Sequence, residues 1–134
     1  MIPTKLYKQI VESMPLLCVD VILTINGQFI LVQRANEPLK GEWWVVGGRV
    51  LKNETLLECA ERKVREEIGL LPMNLEMVGI YEDSYPKSEF GVPTQSVSIV
   101  FTGEINEYSP KLDATSVDIK LSDNLPKRFL QNLK

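Results

Sequence analysis

The segment from Gly48 to Leu70, GRVLKNETLLECAERKVREEIGL, constrains the fold more than any other. Leu57, Ala60, Val64 and Ile68 recur at i, i+3/i+4 spacing, which predicts a helix from Glu54 to Gly69 with one buried stripe. Asn53 is the expected N-cap, Glu54 suits the positive end of the helix, and Gly69 is the expected stop. Lys63 and Glu67 lie four residues apart and share a face, as do Arg62 and Glu66. A face of this kind is ordinarily solvated and laced with weak ion pairs. Here, however, the charges crowd into the last two turns, and the helix is entered through VVGGRV, whose paired glycines let backbone approach a ligand closely. Carboxylates bunched on one turn repel each other unless a cation stands among them.

Around this helix the chain reads as strands. Residues 4–13 place Leu6, Ile10 and Val11 at helical spacing, and Pro15 ends that first helix. LLCVDVILTI is apolar enough for a central strand, and Asn26–Gly27 predicts a hairpin into QFILVQR. ANEPLKGEWWVVGG reads as a loop followed by a short strand. LEMVGIYED and QSVSIVFTGEI are strands separated by the polar loop SYPKSEFGVPT, and a weaker strand over Val117–Leu121 precedes a helix from about Asp123. The expected class is α+β, a mixed β-sheet packed between helices, with residues 1–134 forming a single domain.

Composition removes several options. The chain has no histidine, so acid–base or metal chemistry must run on carboxylates, Lys, Tyr, Cys, backbone groups or water. A net charge of −3 gives no general pull toward nucleic acid or a membrane, so an anionic ligand must meet a local basic site. The apolar runs are too short to span a bilayer, and MIPTKLYKQI has no signal-peptide character, so the cytoplasm is the expected location. Cys18 and Cys59 lack CxxC spacing and read as buried free thiols. Asp20, inside LLCVDVIL, must be paired or line a cavity, because burying it alone is costly. Trp43 and Trp44 suit core packing better than base stacking, although aromatic faces serve both.

The segment resembles the Nudix box, G-x5-E-x7-R-E-U-x-E-E-x-G-U, in which U is a bulky apolar residue. Gly48, Glu54, Arg62, Val64, Glu66, Glu67, Gly69 and Leu70 fall in register, and Lys63 replaces a glutamate. Residues 7–70 further resemble the GDP-mannose mannosyl hydrolase branch, with its leading helix, its PL…D strand and its R-x-N-x-P…G-x-W segment; the C-terminal half matches poorly. The resemblance implies a Nudix fold, an α/β/α sandwich, and a Mg²⁺-dependent hydrolase, with Mn²⁺ as the other metal. The implied substrate is a nucleoside diphosphate linked to a sugar or similar group, GDP-mannose-like or ADP-ribose-like. It implies the Gly47 carbonyl, Glu66 and Glu67 as metal ligands, and Glu66, Glu67, Arg34 and Asp20 as catalytic. Arg34 and Arg49 would bind the diphosphate, with Asp20 near the leaving group. Gly48, Glu54, Arg62 and Gly69 would be structural. By themselves, Arg34 reads equally as a solvated strand-end residue and Arg49 as a loop charge. The leading helix implies a homodimer, by analogy alone.

Two departures stand out. The branch carries a Gln–His pair before its last strand, whereas the ungapped alignment here offers Ala114 and Thr115. A carboxylate base would have to substitute, from Asp113, Asp118, Glu82, Asp83 or Glu89. Lys63 brings a positive charge next to Glu67, which opposes a second divalent ion and points to a single-metal site. The competing expectation is a Nudix domain without catalysis that binds a nucleotide as sensor or partner.

Overall fold

A computed structural model describes residues 2–133, and the side chains through residue 130. Helix α1 (Thr4–Ser13) leads into β1 (Leu16–Ile25), β2 (Gln28–Arg34), β3 (Trp43–Trp44) and β4 (Val46–Arg49). Helix α2 (Leu56–Ile68) follows, then β5 (Met73–Tyr85), β6 (Thr94–Glu104), β7 (Ser116–Ser122) and a C-terminal 3-10 helix (Lys127–Leu133). The class is α+β, with one mixed seven-stranded sheet. No helix among the described residues is long and apolar enough to cross a membrane.

β1 is the central strand, as its apolar run predicts. It pairs in parallel with β6 from Leu16↔Ser96 to Thr24↔Glu104. On its other edge it changes partner. β2 meets it only at Thr24 and Ile25, beside the Asn26–Gly27 turn, whose residues both have positive φ. Toward its N-terminal half β1 pairs instead with β4, from Cys18↔Arg49 to Val21↔Val46. β2 peels away and takes β3 and β7 as neighbours. β2 and β4 therefore diverge beside β1, and both line the cleft described below.

Alternation along β1 sorts side chains to two faces. Val19, Val21, Leu23 and Ile25 join Cys59, Ala60, Val64 and Ile68 of α2 in one buried cluster. Ile22 joins Leu31, Val45, Val100, Leu125 and Phe129 in a second, on which Trp43 and Trp44 pack. Both tryptophans pack on this cluster, with Trp44 edge-to-face on Phe129 at 5.0 Å and also lining the cavity described below.

Three local expectations are corrected. The N-cap is Thr55, in a full capping box with Glu58, while Asn53 sits two residues earlier in the left-handed region at φ 68°. Leu57 does not join the stripe and is 46% exposed, with Leu56 packing in its place. A first-turn side chain leans toward the helix N-terminus and so past the end of the element. The expected C-terminal helix is a 3-10 turn, in which Phe129 N–H donates to Pro126 O at 3.0 Å and the buried Phe129 ring anchors the segment. Cys59 is buried, Cys18 only half-buried, and both are free.

Thr55→Ala should lower unfolding free energy by about 1 kcal/mol in urea titrations, the usual scale for a lost cap. Asn53→Gly, which relieves a positive φ, should change it by less than about 0.5 kcal/mol.

Candidate active site

The glycine pair read from the sequence has a specific cause at each position. Gly47 lies across from Asp20 in the β1–β4 ladder, and a Cβ there would stand 2.5 Å from Asp20 Oδ1 and from Val19 O. A Cβ on Gly48 would overlap the Lys63 stem, with Cδ at 2.8 Å. The first glycine admits a carboxylate and the second admits a lysine.

Helix α2 is fixed to this strand from behind. Arg62 Nε donates to Glu54 Oε2 at 2.6 Å and Nη2 to Glu54 Oε1 at 3.0 Å, a two-pronged pair. Nη2 also donates to the Arg49 carbonyl at 3.0 Å, which ties the helix to β4. The Arg62 hydrogen bonds hold the Glu54 carboxyl down at about 2, and its partner drives the Arg62 guanidinium up.

With the helix so placed, Glu67 points inward and is 5% exposed. Its Oε1 accepts from Gly47 N–H at 3.2 Å, and Lys63 Nζ stands 3.6 Å from Oε2. Burial pushes the Glu67 carboxyl up to about 7, opposed by Lys63 and the Gly47 N–H. Thr115 Oγ1 lies 2.5 Å from Asp113 Oδ1 and 3.4 Å from Glu67 Oε2. One hydroxyl proton cannot serve both, and the shorter contact takes it. Glu66 differs sharply: its side chain is 47% exposed, pairs with Arg62 Nη1 at 3.1 Å, and stands 3.8 Å from Lys63.

A cavity of about 290 Å³ opens above these groups. The structure brings Asp20, Arg34, Gly47, Gly48, Arg49, Lys63 and Glu67 to its walls; Glu66, Glu54, Arg62 and Gly69 do not line it. Gly69 instead ends α2 in the left-handed conformation. Arg34 follows a register shift in β2 and donates from Nε to Pro38 O at 2.6 Å. Arg49 lies over the Tyr7 ring at 4.7 Å, so α1 steadies it. Asp20 accepts from Ser98 Oγ at 2.5 Å; desolvation nonetheless lifts its carboxyl to about 6. Burial pushes the Cys18 thiol to about 12, so the cavity holds no thiolate at neutral pH.

Of the five candidate bases, Asp83 and Glu89 reach the cavity. Asp83 is held by Arg128, whose Nε donates to Oδ1 at 2.8 Å. Asp113 is engaged with Thr115, Asp118 accepts from Ile119 N–H at 2.8 Å, and Glu82 lies on the exposed face of β5. Sequence reasoning missed Thr94, Ser96 and Ser98, which line the cavity, and Arg128 behind them. The alternation of T-x-S-x-S in β6 was the available signal, since every second residue of a strand shares a face; Arg128 had none.

The donors suit a hard cation. Glu67 is a buried carboxylate beside a strand backbone, and Glu66 stands one residue away. Among the described residues no three acidic or cysteine side chains converge as a metal cluster. A hard divalent cation that keeps several waters would fit so sparse a protein set.

An open mixed sheet, with a glycine-bearing strand and a charged helix at its cleft, defines the class of domain to which the site belongs. The NUDIX domain profile matches residues 14–120, and the chain belongs to that family. It is 39% identical over 88 residues to the low-salt glycan biosynthesis protein Agl8 of Haloferax volcanii, covering 66% of this chain and 56% of that protein. It is 32% identical over 117 residues to the ADP-ribose pyrophosphatase of Methanocaldococcus jannaschii, covering 84% and 66%. The crystal structure of a MutT NUDIX hydrolase from Burkholderia pseudomallei superposes with a TM-score of 0.75 at 16% identity, over 90% of this chain and 97% of that one.

The two key carboxylates respond oppositely to pH. Glu54 titrates below its unfolded value, so its contribution is present above about pH 4.5 and lost as pH falls toward 2. Glu54→Gln should therefore cost about 1–3 kcal/mol at pH 7, fading with acidification. Glu67 titrates above its unfolded value, so the native chain loses stability as pH rises from about 4.5 through 7. Without metal, Glu67→Gln should gain on the wild type by up to about 3 kcal/mol at pH 8 and far less at pH 5, read from urea melts.

Proposed function

We propose that this chain is a Mg²⁺-dependent Nudix hydrolase that cleaves a nucleoside diphosphate linked to a sugar or similar group. One observation carries the reading: a buried carboxylate, Glu67, faces the same cavity as three cations, Arg34, Arg49 and Lys63. That combination suits a diphosphate bridged to the protein by a divalent ion. Glu67 and the Gly47 carbonyl would hold the metal, and Glu66 would join them only by leaving Arg62 and Lys63; Mn²⁺ would be able to replace Mg²⁺. When bound, the ion supplies charge neutralisation at the phosphates and lowers the pKa of a coordinated water.

The chain's own groups divide the remaining work. Arg34 and Arg49 offer guanidinium forks to phosphate oxygens, and Tyr7 and the Pro38 carbonyl limit their motion. Lys63 occupies the space between Glu66 and Glu67, so one metal per chain is the reading its charge supports. Glu89 is, among the five candidate bases, the one that reaches the cavity without a guanidinium on it; it is assigned to accept the proton of the attacking water. Asp20 stands at the leaving-group side. The names of the relatives, ADP-ribose pyrophosphatase and a glycan biosynthesis protein, agree with a glycosylated nucleotide substrate.

The test is a panel of nucleotide sugars, ADP-ribose, dinucleoside polyphosphates and nucleoside triphosphates with Mg²⁺. Turnover should appear with the diphosphate-linked sugars, and Glu67→Gln should reduce kcat at least about 100-fold, the scale of a lost electrostatic stabiliser. Product analysis in ¹⁸O-water separates attack at phosphorus from attack at the sugar carbon. Tight nucleotide binding without turnover would favour the sensor reading, which the lysine beside Glu67 supports. Calorimetric titration of Mn²⁺ with a bound analogue should give one ion in the wild type and a second in Lys63→Glu.

A further inference from the structure

One ion pair beside the cavity involves neither Glu67 nor the cations Arg34, Arg49 and Lys63. Arg128 grips Asp83 side-on: Nε donates to Oδ1 at 2.8 Å and Nη2 makes a short contact to Oδ2. The guanidinium lies 3.6 Å from the Tyr81 ring centroid and 4.9 Å from that of Phe129. Phe129 is fully buried and packs edge-to-face on Trp44 and Tyr81. Arg128 is therefore fixed by the packing of the C-terminal segment, and Asp83 by Arg128.

The direction in which Asp83 is fixed is informative. It lines the cavity, and its partner across the β5–β6 ladder is Ser96. Ser98, two residues along the same face, bonds Asp20, and Thr94 and Tyr85 are paired at the next position on that face. The cavity is thus divided. Arg34, Arg49 and Lys63 gather on the side of β2, β4 and α2, while β1, β5 and β6 present carboxylates and hydroxyls. Each Asp83 oxygen gives one lone pair to Arg128 and keeps another, so the pair leaves a rigid acceptor. Asp20 and Asp83 put acceptor oxygens on this floor and Arg128 is engaged by Asp83, so the floor suits an uncharged hydrogen-bond donor.

We infer that Asp83 is a specificity-determining residue that accepts a hydrogen bond from a hydroxyl on the uncharged group beyond the diphosphate, with Arg128 as its positioning residue. This rests on the hydrolase reading above. It also assigns the C-terminal 3-10 helix, which lies outside the matched family region, to the substrate site. Asp83 is then not the proton acceptor of the reaction, because Arg128 engages both of its oxygens.

The test compares two esters of one nucleoside diphosphate, a hexose ester and an ethyl ester that lacks hydroxyls. Asp83→Asn should raise KM for the hexose ester about tenfold or more, the scale of a hydrogen bond to a charged group, with kcat little changed and the ethyl ester unaffected. Arg128→Met should do the same and Arg128→Lys should recover part of the selectivity. Ser96→Ala, too small a change to unfold the chain, should show a weaker loss of the same kind. Equal losses on both esters, or no change on either, would overturn the inference. Should the wild type cleave neither ester, the hydrolase reading fails, and calorimetry with the same two ligands decides the floor separately. A preference for the hexose ester that Asp83→Asn erases upholds the inference, and equal affinities sink it.

Discussion

Burial of one carboxylate organises this molecule. Glu67 is placed where water cannot solvate it, and almost every neighbouring feature limits the cost. Gly47 donates its N–H, Lys63 supplies a positive charge, and Gly48 lacks a side chain so that the lysine stem can lie there. Glu54 and Arg62 do not touch the cavity, yet they set the pitch and depth of the helix that carries Glu67. What looks like an ion-pair-rich helix is a frame for one strained acid.

The cleft follows from a change of partner in the sheet. β4, rather than β2, takes the N-terminal half of β1, and glycine at the register position opposite Asp20 leaves room for its side chain. The cavity then collects residues from β1, β2, β4, β5, β6 and α2, so that Arg34, Arg49 and Lys63 meet the oxygens of Asp20, Glu67 and Asp83 in one place.

Much of the frame was legible because it is local. The α2 periodicity, the Asn26–Gly27 turn, the apolar run of β1 and the Gly69 stop each depend on residues a few positions apart. The errors were local too, and small. A threonine two residues on makes a better cap than Asn53 because Glu58 completes the box, and Leu57 lies too near the helix start to be covered. The site was legible only in part. Asp20, Arg34, Arg49, Lys63 and Glu67 meet at one cavity, whereas Glu66 stays outside it, bound by Arg62. Of the five acids considered as bases, sequence offered no way to see that Arg128 holds one and that strand parity turns another away.

The amino-acid sequence alone determined a Nudix helix with an acid at its end and a lysine where a glutamate usually stands. Those features are matters of spacing along one chain segment. Tertiary structure decided which carboxylates face the cavity, how far each is desolvated, and that the C-terminal segment braces the cavity wall. Burial and long-range pairing are properties of the packed sheet: Asp83 and Arg128 are 45 residues apart, and Asp20 and Ser98 are 78 apart. No local pattern encodes such meetings, because they follow from which strands pair and where the sheet opens.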